Sequence, residues 1–356
     1  MRKIVFSLAA VLILSFSCQY IEWPDAKRLE ITHPDNYLTF TTDGSASLSL
    51  YNWGNNSPVL FYSKDGKTWR RWDYSPISFN RKHPLYLCGE NPDGFSRSIT
   101  FFSRFVSEGD PISVSGDVMA LISYEDKVTT IPCENCFYQL FQNCTNITRA
   151  PSISATTLKK FCCMGMFDGC TGLTEVPDLP AANLADYCYG EMFQGCSSMT
   201  IAPQLPATTL AEKCYFCMFL GCSGLIEAPQ LPAIDLADYC YDCMFMGCSS
   251  LDKAPDLPAT ALAYACYKDM FCGCGKLTSA PILPSTTLAA RCYEGMFLGC
   301  SNLTYVKCLA TDINNYDSLY CWLEGVAPSG VFVKASEMND WPRGDSGIPQ
   351  GWTISE

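Results

Sequence analysis

The stretch CYFCMFLGCSGLIEAPQLPAIDLADY, residues 214–239, is one copy of a 26-residue unit that occurs seven times in residues 136–317. The first cysteine of the unit recurs at a constant spacing without slippage, and a second cysteine follows at a fixed position in every copy. The first cysteines are Cys136, Cys162, Cys188, Cys214, Cys240, Cys266 and Cys292. A constant period of this size is typical of a solenoid, in which each unit buries its apolar face only against its neighbours.

The order of apolar residues within a copy predicts a helix of about three turns. Leu210, Cys214 and Met218 follow one another at four-residue intervals, with a second apolar row beside them. Gly221 suits the left-handed position that ends a helix. A short strand is predicted at residues 225–228, where a proline without an N–H group stops it. Helix, strand and turn in a unit of constant length predict an α/β leucine-rich-repeat solenoid with a narrow parallel sheet.

The chain before the repeats has alternating runs that are typical of β-strands. Residues 37–41 and 46–51 are two such runs, and an Asp-Gly pair separates them. The run from Ser63 to Trp69 resembles the Asp-box turn, in which Asp and Ser groups bond the turn backbone and a Trp packs beneath it. We therefore predict an all-β, sandwich-like domain over residues 18–130, in which this turn is structural.

Both ends of the chain carry further signals. Two basic residues precede a short apolar run that ends at Phe16, and Cys18 follows a serine, which is typical of a bacterial lipoprotein signal. Residues 1–17 are therefore predicted to be a signal peptide and Cys18 the lipid-attachment residue, so that lipid alone anchors the protein to a membrane. The solenoid is predicted at residues 131–317. Residues 318–356, with three tryptophans, are predicted to cap its open end.

Charge and composition exclude several classes of function. The formal charge is −12 and no Lys/Arg cluster occurs, which argues against nucleic-acid binding. The two histidines, His33 and His83, lie outside the repeats, and no motif of a known nucleophile, metalloprotease or phosphate loop is present. The sequence therefore predicts a protein that is not an enzyme, with no catalytic residue, no metal and no cofactor.

The chain has 23 cysteines, which invite a disulfide framework. The two recurrent cysteines of one copy would lie too far apart along a helix to join, and equivalent cysteines of neighbouring coils are also spaced too widely. Most are therefore expected to be free, buried thiols. Cys217 and Cys243 are extra cysteines at the same position of successive copies. A disulfide between these two, zinc binding and free thiols all stay open.

Positions that vary among the copies are not needed for stacking. One of them, shortly after the recurrent leucine, lies on the strand side, where solenoids present an extended surface. These residues are candidate contacts with a partner. They are Arg149, Glu175, Ile201, Glu227, Lys253, Ser279 and Tyr305.

The repeat also resembles a known group. Its M-F-x-x-C-x-x-L form, as in MFQGCSSM at residues 192–199, is similar to the BspA-like leucine-rich repeats of bacterial surface proteins. The resemblance covers about half of the chain, and the lipoprotein-type signal, the β-domain and the closing GIPQGWT run resemble the flanks of such proteins. It implies a role in cell-surface binding or adhesion, with host matrix proteins among the partners, and it carries over no catalytic residue.

The expected protein is thus a non-catalytic lipoprotein that binds a protein or a glycan through its solenoid. The protein partner would belong to the host matrix or to the bacterial surface. Attachment at the outer membrane or cell surface is expected, with a periplasm-facing position as the alternative. The alternative function is that of a structural or spacer component of a surface assembly.

Overall fold

The fold is described from a computed structural model for residues 36–356, so the predicted signal peptide and Cys18 lie outside the described residues. Short strands and one short 3-10 turn are the regular elements of this part of the chain. The strands are β1 Leu38–Thr42, β2 Ser45–Asn52, β3 Leu60–Ser63, β4 Arg70–Arg71, β5 Ile77–Asn80, β6 Leu85–Gly89, β7 Ser103–Gly109, β8 Ile112–Ser115, β9 Ile147–Arg149, β10 Ser279–Leu283, β11 Tyr305–Cys308, β12 Val331–Lys334 and β13 Thr353–Ser355.

Two sheets form the N-terminal part. One has the order β4-β3-β6-β1-β8-β9 and the other the order β5-β2-β7. Alternate residues of the strands are buried, as Leu38 and Phe40 of β1 and Leu48 of β2 are, because successive side chains of a strand point to opposite faces. The two sheets agree with the sandwich-like β-domain predicted from the alternating runs.

The predicted helices, and with them the α/β leucine-rich-repeat solenoid, are wrong. The one helical element among residues 36–356 is a 3-10 turn, Val118–Leu121. Each copy instead forms a series of four-residue turns, which we call the turn ribbon (residues 213–222 in the quoted copy). Within it, Cys214 and Met218 each donate an N–H bond to the carbonyl three residues back, at 3.3 and 3.2 Å. Tyr215, between them, donates to the carbonyl of Cys240 in the next coil, at 3.2 Å.

Backbone dihedral angles explain why no helix forms. Every fourth residue of the turn ribbon has a positive φ, which is 52° at Lys213, 51° at Cys217 and 72° at Gly221. A positive φ at the third residue is typical of a type II turn and does not occur within an α-helix. The ribbon therefore repeats every four residues, close to the 3.6 of a helix. The apolar spacing of Cys214 and Met218 fits both structures, which is why it predicted a helix.

The second cysteine of each copy ties its coil to the preceding one. The thiol of Cys222 donates a hydrogen bond to the carbonyl of Phe193 at 3.0 Å, and the same bond recurs in all seven copies at 3.0–3.3 Å. The phenylalanines stack as well, with the ring centroids of Phe193 and Phe219 5.9 Å apart. Burial raises the pKa of the Cys222 thiol to about 12, so the thiol keeps its proton and its role as a donor.

The N-terminal sheets supply the surface on which the first copy stacks. Phe105 of β7 stands where a ladder phenylalanine would be. Its carbonyl accepts the thiol of Cys144 at 3.3 Å, and its ring centroid lies 5.1 Å from that of Phe141. Strand β9 of the first copy pairs in parallel with β8. The hydrophobic core therefore runs without a break from the sandwich into the coils, across the predicted domain boundary at residue 130.

An eighth turn ribbon follows the seven copies and lies mostly inside residues 318–356, the segment that was predicted to be a cap. Asp317, Cys321 and Gly325 repeat the positive φ values, at 48°, 53° and 73°. Trp322 takes the place of the ladder methionine, is fully buried, and stacks on Tyr293 with ring centroids 6.4 Å apart. The stack thus extends beyond residue 317.

The last residues cover the end of the stack. Strands β10-β11-β12-β13 form a parallel sheet, the only one of its kind among residues 36–356. Trp341 and Trp352 are buried, and the indole N–H of Trp352 donates to the carbonyl of Ala327 at 2.8 Å. The tryptophans of this segment therefore lie in the core, where they shield the final coil from water.

The left-handed residues give a direct test of the turn ribbon. Ala265 is buried with a φ of 50°. In a helix, its replacement by glycine would cost about 1 kcal/mol, in addition to the lost methyl burial. In the ribbon, Ala265→Gly is expected to change the free energy of unfolding by less than about 0.5 kcal/mol, because relief of the left-handed backbone offsets the lost burial. Denaturant unfolding followed by tryptophan fluorescence measures the change.

Ala263→Gly is the matched control, since Ala263 lies just before Ala265 in the same predicted helix and is not among the positive-φ residues. It is expected to lose about 1 kcal/mol. Equal losses in the two variants would contradict the ribbon and favour a helix.

The thiol ladder gives a second test. Cys222→Ala removes the hydrogen bond to Phe193 and leaves a small void in a fully buried site. The variant is expected to lose about 1–3 kcal/mol of unfolding free energy. Cys272→Ala, at a half-buried thiol, is the control and is expected to lose much less. If calorimetry gives the same drop in Tm for both variants, the hydrogen bond from Cys222 to Phe193 does not stabilise the stack measurably.

Candidate functional site

The seven variable residues predicted from the sequence lie in one exposed row along the stack. They are Arg149, Glu175, Ile201, Glu227, Lys253, Ser279 and Tyr305, and each is exposed. Parallel β-bridges join neighbours in the row, such as Ile201 to Glu227 and Glu227 to Lys253. Ser279 and Tyr305 are paired in the same way as the first residues of β10 and β11. Their role in binding stays a prediction.

The chemistry of this binding row changes from coil to coil. Arg149 and Glu175 form an ion pair at 3.5 Å with side chains 55% and 65% exposed, so the pair adds little to stability. Ile201 is 61% exposed, an uncommon placement for an isoleucine. Glu227 and Lys253 then place opposite charges on adjacent coils. The row therefore offers charged and apolar contacts in a fixed order.

A groove of about 460 Å³ lies beside the middle of the row. Its walls are residues 226–232 of one coil and residues 252–256 with Pro258 of the next. The prolines keep these two walls from pairing, because a residue without an N–H group cannot continue the ladder past Glu227 and Lys253. Residues 228–233 and 254–259 make no backbone hydrogen bond.

The last copy shows the effect of the prolines by contrast. Lys307 stands where the other copies have proline, and there β11 runs for four residues and pairs with β12 along its whole length. A wider ladder thus forms where one of two adjacent coils has this N–H group, and it includes β10, whose register shifts at Pro281. In the middle of the stack, the backbone groups of residues 228–232 and 254–256 in the groove walls have no backbone partner in the chain.

Sequence reasoning missed a second variable row on this face. It is the residue that follows the recurrent proline, which in copies two to six belongs to a P-x-L-P run, and Gln230 and Asp256 of this row line the groove. The signal was present in the sequence, because this residue changes while its neighbours do not. All its members are exposed: Ser152, Asp178, Gln204, Gln230, Asp256 and Ile282.

The Asp-box turn at Ser63 is structural, as its resemblance implied. The Asp65 carboxylate accepts backbone N–H bonds from Lys67 and Thr68 at 2.8 and 2.7 Å, and these bonds hold the pKa of Asp65 well below its usual range. Trp69 is buried beneath the turn. The turn closes the antiparallel pair of β3 and β4.

The two extra cysteines lie on neighbouring turn ribbons, and their thiols contact each other. Both are free thiols, as is every cysteine among residues 36–356, and the pairing of Cys217 with Cys243 stays a prediction. Next to Cys243 lie the carboxylates of Asp242 and Asp269. Sequence reasoning did not single out these two acids, because they belong to different copies and only the stack brings them together.

A second group of acids lies on the turn ribbons near the sandwich. Gln142 accepts a bond from Arg104 at 3.0 Å and donates one to Asp168 at 2.9 Å. Burial, and then the nearby charge of Asp168, raise the pKa of Glu191. Burial also raises the pKa of Asp168. The ionised forms of both groups are therefore disfavoured in the folded chain.

No known protein family, no curated protein and no solved structure matches this chain. Within residues 36–356, no helix has the length and apolar character that crossing a membrane requires.

Glu191 gives a pH-dependent prediction. A raised pKa in the folded state means that stability is fully present below the unfolded pKa, about 4.3, and is lost as the pH rises through the folded pKa. Glu191→Gln, which carries no charge, is therefore expected to raise Tm at pH 7 and to leave it unchanged near pH 4. Differential scanning calorimetry across this range measures the difference.

Glu212→Gln changes an exposed glutamate just before the neighbouring turn ribbon and serves as the control, with no pH-dependent gain expected. If Glu191→Gln lowers Tm at pH 7, the charge of Glu191 is stabilising and our account of this acid group fails.

Proposed function

We propose that this protein is a non-catalytic binding protein that holds a protein or glycan partner on its binding row. The observation that carries the proposal is the contrast between the two sides of each coil. Cysteines, methionines and phenylalanines repeat almost unchanged in the buried core, whereas the exposed row differs in charge and size from coil to coil. Variation that stacking does not require is expected where a surface recognises something outside the chain.

The groove favours this face over the rest of the surface. It lies at the centre of the row, and rigid proline-bearing walls hold Glu227 and Lys253 on opposite sides of one inter-coil boundary. A preformed site loses little conformational entropy when it binds. Opposite charges and unpartnered backbone groups in such a site can fix the orientation of the partner as well as contribute affinity.

The lipoprotein-type N-terminus and the resemblance to BspA-like proteins support a place at the bacterial cell surface. We accordingly propose an adhesion-type role, with host matrix proteins, bacterial surface proteins or glycans as partners and a lipid on Cys18 as the anchor. A periplasm-facing position is the alternative.

A structural or spacer role in a surface assembly is the second candidate. The outer strand of the parallel sheet, β13, favours it, because all three of its residues are exposed at the sheet edge. An exposed edge can pair with a strand of another chain.

The binding row is tested by one triple variant. Glu227→Ala, Lys253→Ala and Tyr305→Ala together are expected to weaken binding to matrix proteins or arrayed glycans at least about tenfold, equivalent to about 1.4 kcal/mol. The measurement is surface plasmon resonance with the full chain, on every ligand for which the unchanged protein gives saturable binding.

The control variant replaces Lys159, Glu212 and Tyr320 by alanine, which are exposed residues of the same types on or beside the turn ribbons. Unchanged binding by the first variant, or equal loss in both, would rule out the row. Binding only to components of the same cell surface would favour the structural role.

A further inference from the structure

A column of side chains runs across the turn ribbons at one repeat position. In successive coils this position holds Cys217, Cys243 and Asp269, each one repeat unit after the one before. All three have a positive φ, from 51° to 56°. Elsewhere in the same column glycine occurs, as at Gly165 and Gly295, which is the residue that this backbone conformation favours. Thiols and a carboxylate at this position are therefore not required by the fold.

Three groups converge at the centre of the column. One ligand atom each from Asp242, Cys243 and Asp269 lies within 4.8 Å of the others. Asp242 is only 6% exposed, and its Oδ1 accepts the thiol of Cys243 at 3.3 Å. We call these three residues the Cys243 cluster. Its members come from two coils, so a shared ligand would join the coils.

The charges of the cluster are poorly balanced. Lys268 already bonds Asp269, with its Nζ 2.8 Å from one carboxylate oxygen. Two carboxylates and a thiol thus share one close cation, and a buried acid in such a site would gain from a further positive charge.

We propose that the Cys243 cluster binds one divalent, thiol-seeking cation of the zinc type. One sulfur and two carboxylate oxygens are ligands that zinc accepts, and three protein ligands leave one position of the tetrahedron open. The cation replaces the proton of the Cys243 thiol, which passes to solvent. The sum is then two positive charges against one thiolate and two carboxylates, and Lys268, which also lies 4.0 Å from Glu294, offsets part of the remaining negative charge.

Cys217 lies beside the cluster, and its thiol contacts the sulfur of Cys243. With a cation in place, this thiol can donate a hydrogen bond to the Cys243 thiolate. The proposal therefore leaves Cys217 as a neighbour of the site and requires no disulfide between the two cysteines.

Cobalt(II) is the probe of choice, because a thiolate bound to it gives a charge-transfer absorption band. The full chain, reduced and freed of metal by a chelator, is titrated with cobalt(II) in the absence of oxygen. One cobalt per chain, a thiolate band, and loss of that band on addition of zinc are expected. A rise in Tm with zinc is expected as well, because the cation binds only the folded site.

Two substitutions separate the site from the other thiols. Cys243→Gly is expected to abolish the band and the zinc-dependent rise in Tm, and Asp242→Asn to weaken cobalt binding at least about tenfold by removing one ligand charge. Cys321→Gly is the matched control, since Cys321 holds the same repeat position in the eighth coil with a φ of 53°. It is expected to keep both signals.

Three results would overturn the proposal. The first is a thiolate band that persists in Cys243→Gly, which would place the metal elsewhere. The second is a reduced chain that takes up no cobalt. The third is a Cys217–Cys243 disulfide in protein that was purified without oxygen, since the cluster would then lack its thiolate. Glycine at this position suits the backbone, so a loss of folding is not expected to obscure the outcome.

Discussion

A left-handed residue at every fourth position of the turn ribbon is the constraint on which the rest of the structure depends. It closes one type of turn and directs alternate N–H groups out of the coil, where only the carbonyls of the next coil can accept them. No coil can satisfy its own backbone, so each requires a neighbour on both sides. The constant length of the repeat unit keeps these donors and acceptors in register through seven copies. The two ends meet the same need, since Phe105 of the sandwich donates its N–H to the carbonyl of Leu140 and the carbonyl of Trp322 accepts the N–H of Phe297.

The sequence predicted the stacking period and the buried cysteines, but not the local structure. Glycine predominates at only one of the three left-handed positions in a copy, and residues as large as Lys213 and Glu191 occur at the other two. Such residues rarely adopt a positive φ, so no propensity rule would place them there. The neighbours compel the conformation, since the bonds to adjacent coils outweigh the local strain. The eighth coil was missed for a related reason, because Ser318 and Trp322 replace the marker Cys and Met.

The candidate site, too, was predictable only in part from the sequence. Variation among copies located the binding row, since a surface residue can change where a stacked one cannot. The groove beside it needed the structure, because it depends on two coils failing to pair beyond Glu227 and Lys253. The Cys243 cluster could be found only from the structure. Asp242 and Asp269 belong to different copies of the repeat, and only the stack brings their carboxylates together.

The cysteines explain how a constant core is compatible with exposed residues that differ from coil to coil. Each second cysteine is small enough to stack, apolar enough to bury and still able to donate to a phenylalanine carbonyl. Burial raises the pKa of these thiols, and a thiol without its thiolate form is a poor nucleophile. The core therefore contributes cohesion and little reactivity. Because the ladder fixes the backbone of every coil, the exposed positions are free to change singly without disturbing the stack. Recognition and stability are thereby assigned to different residues of the same repeat unit.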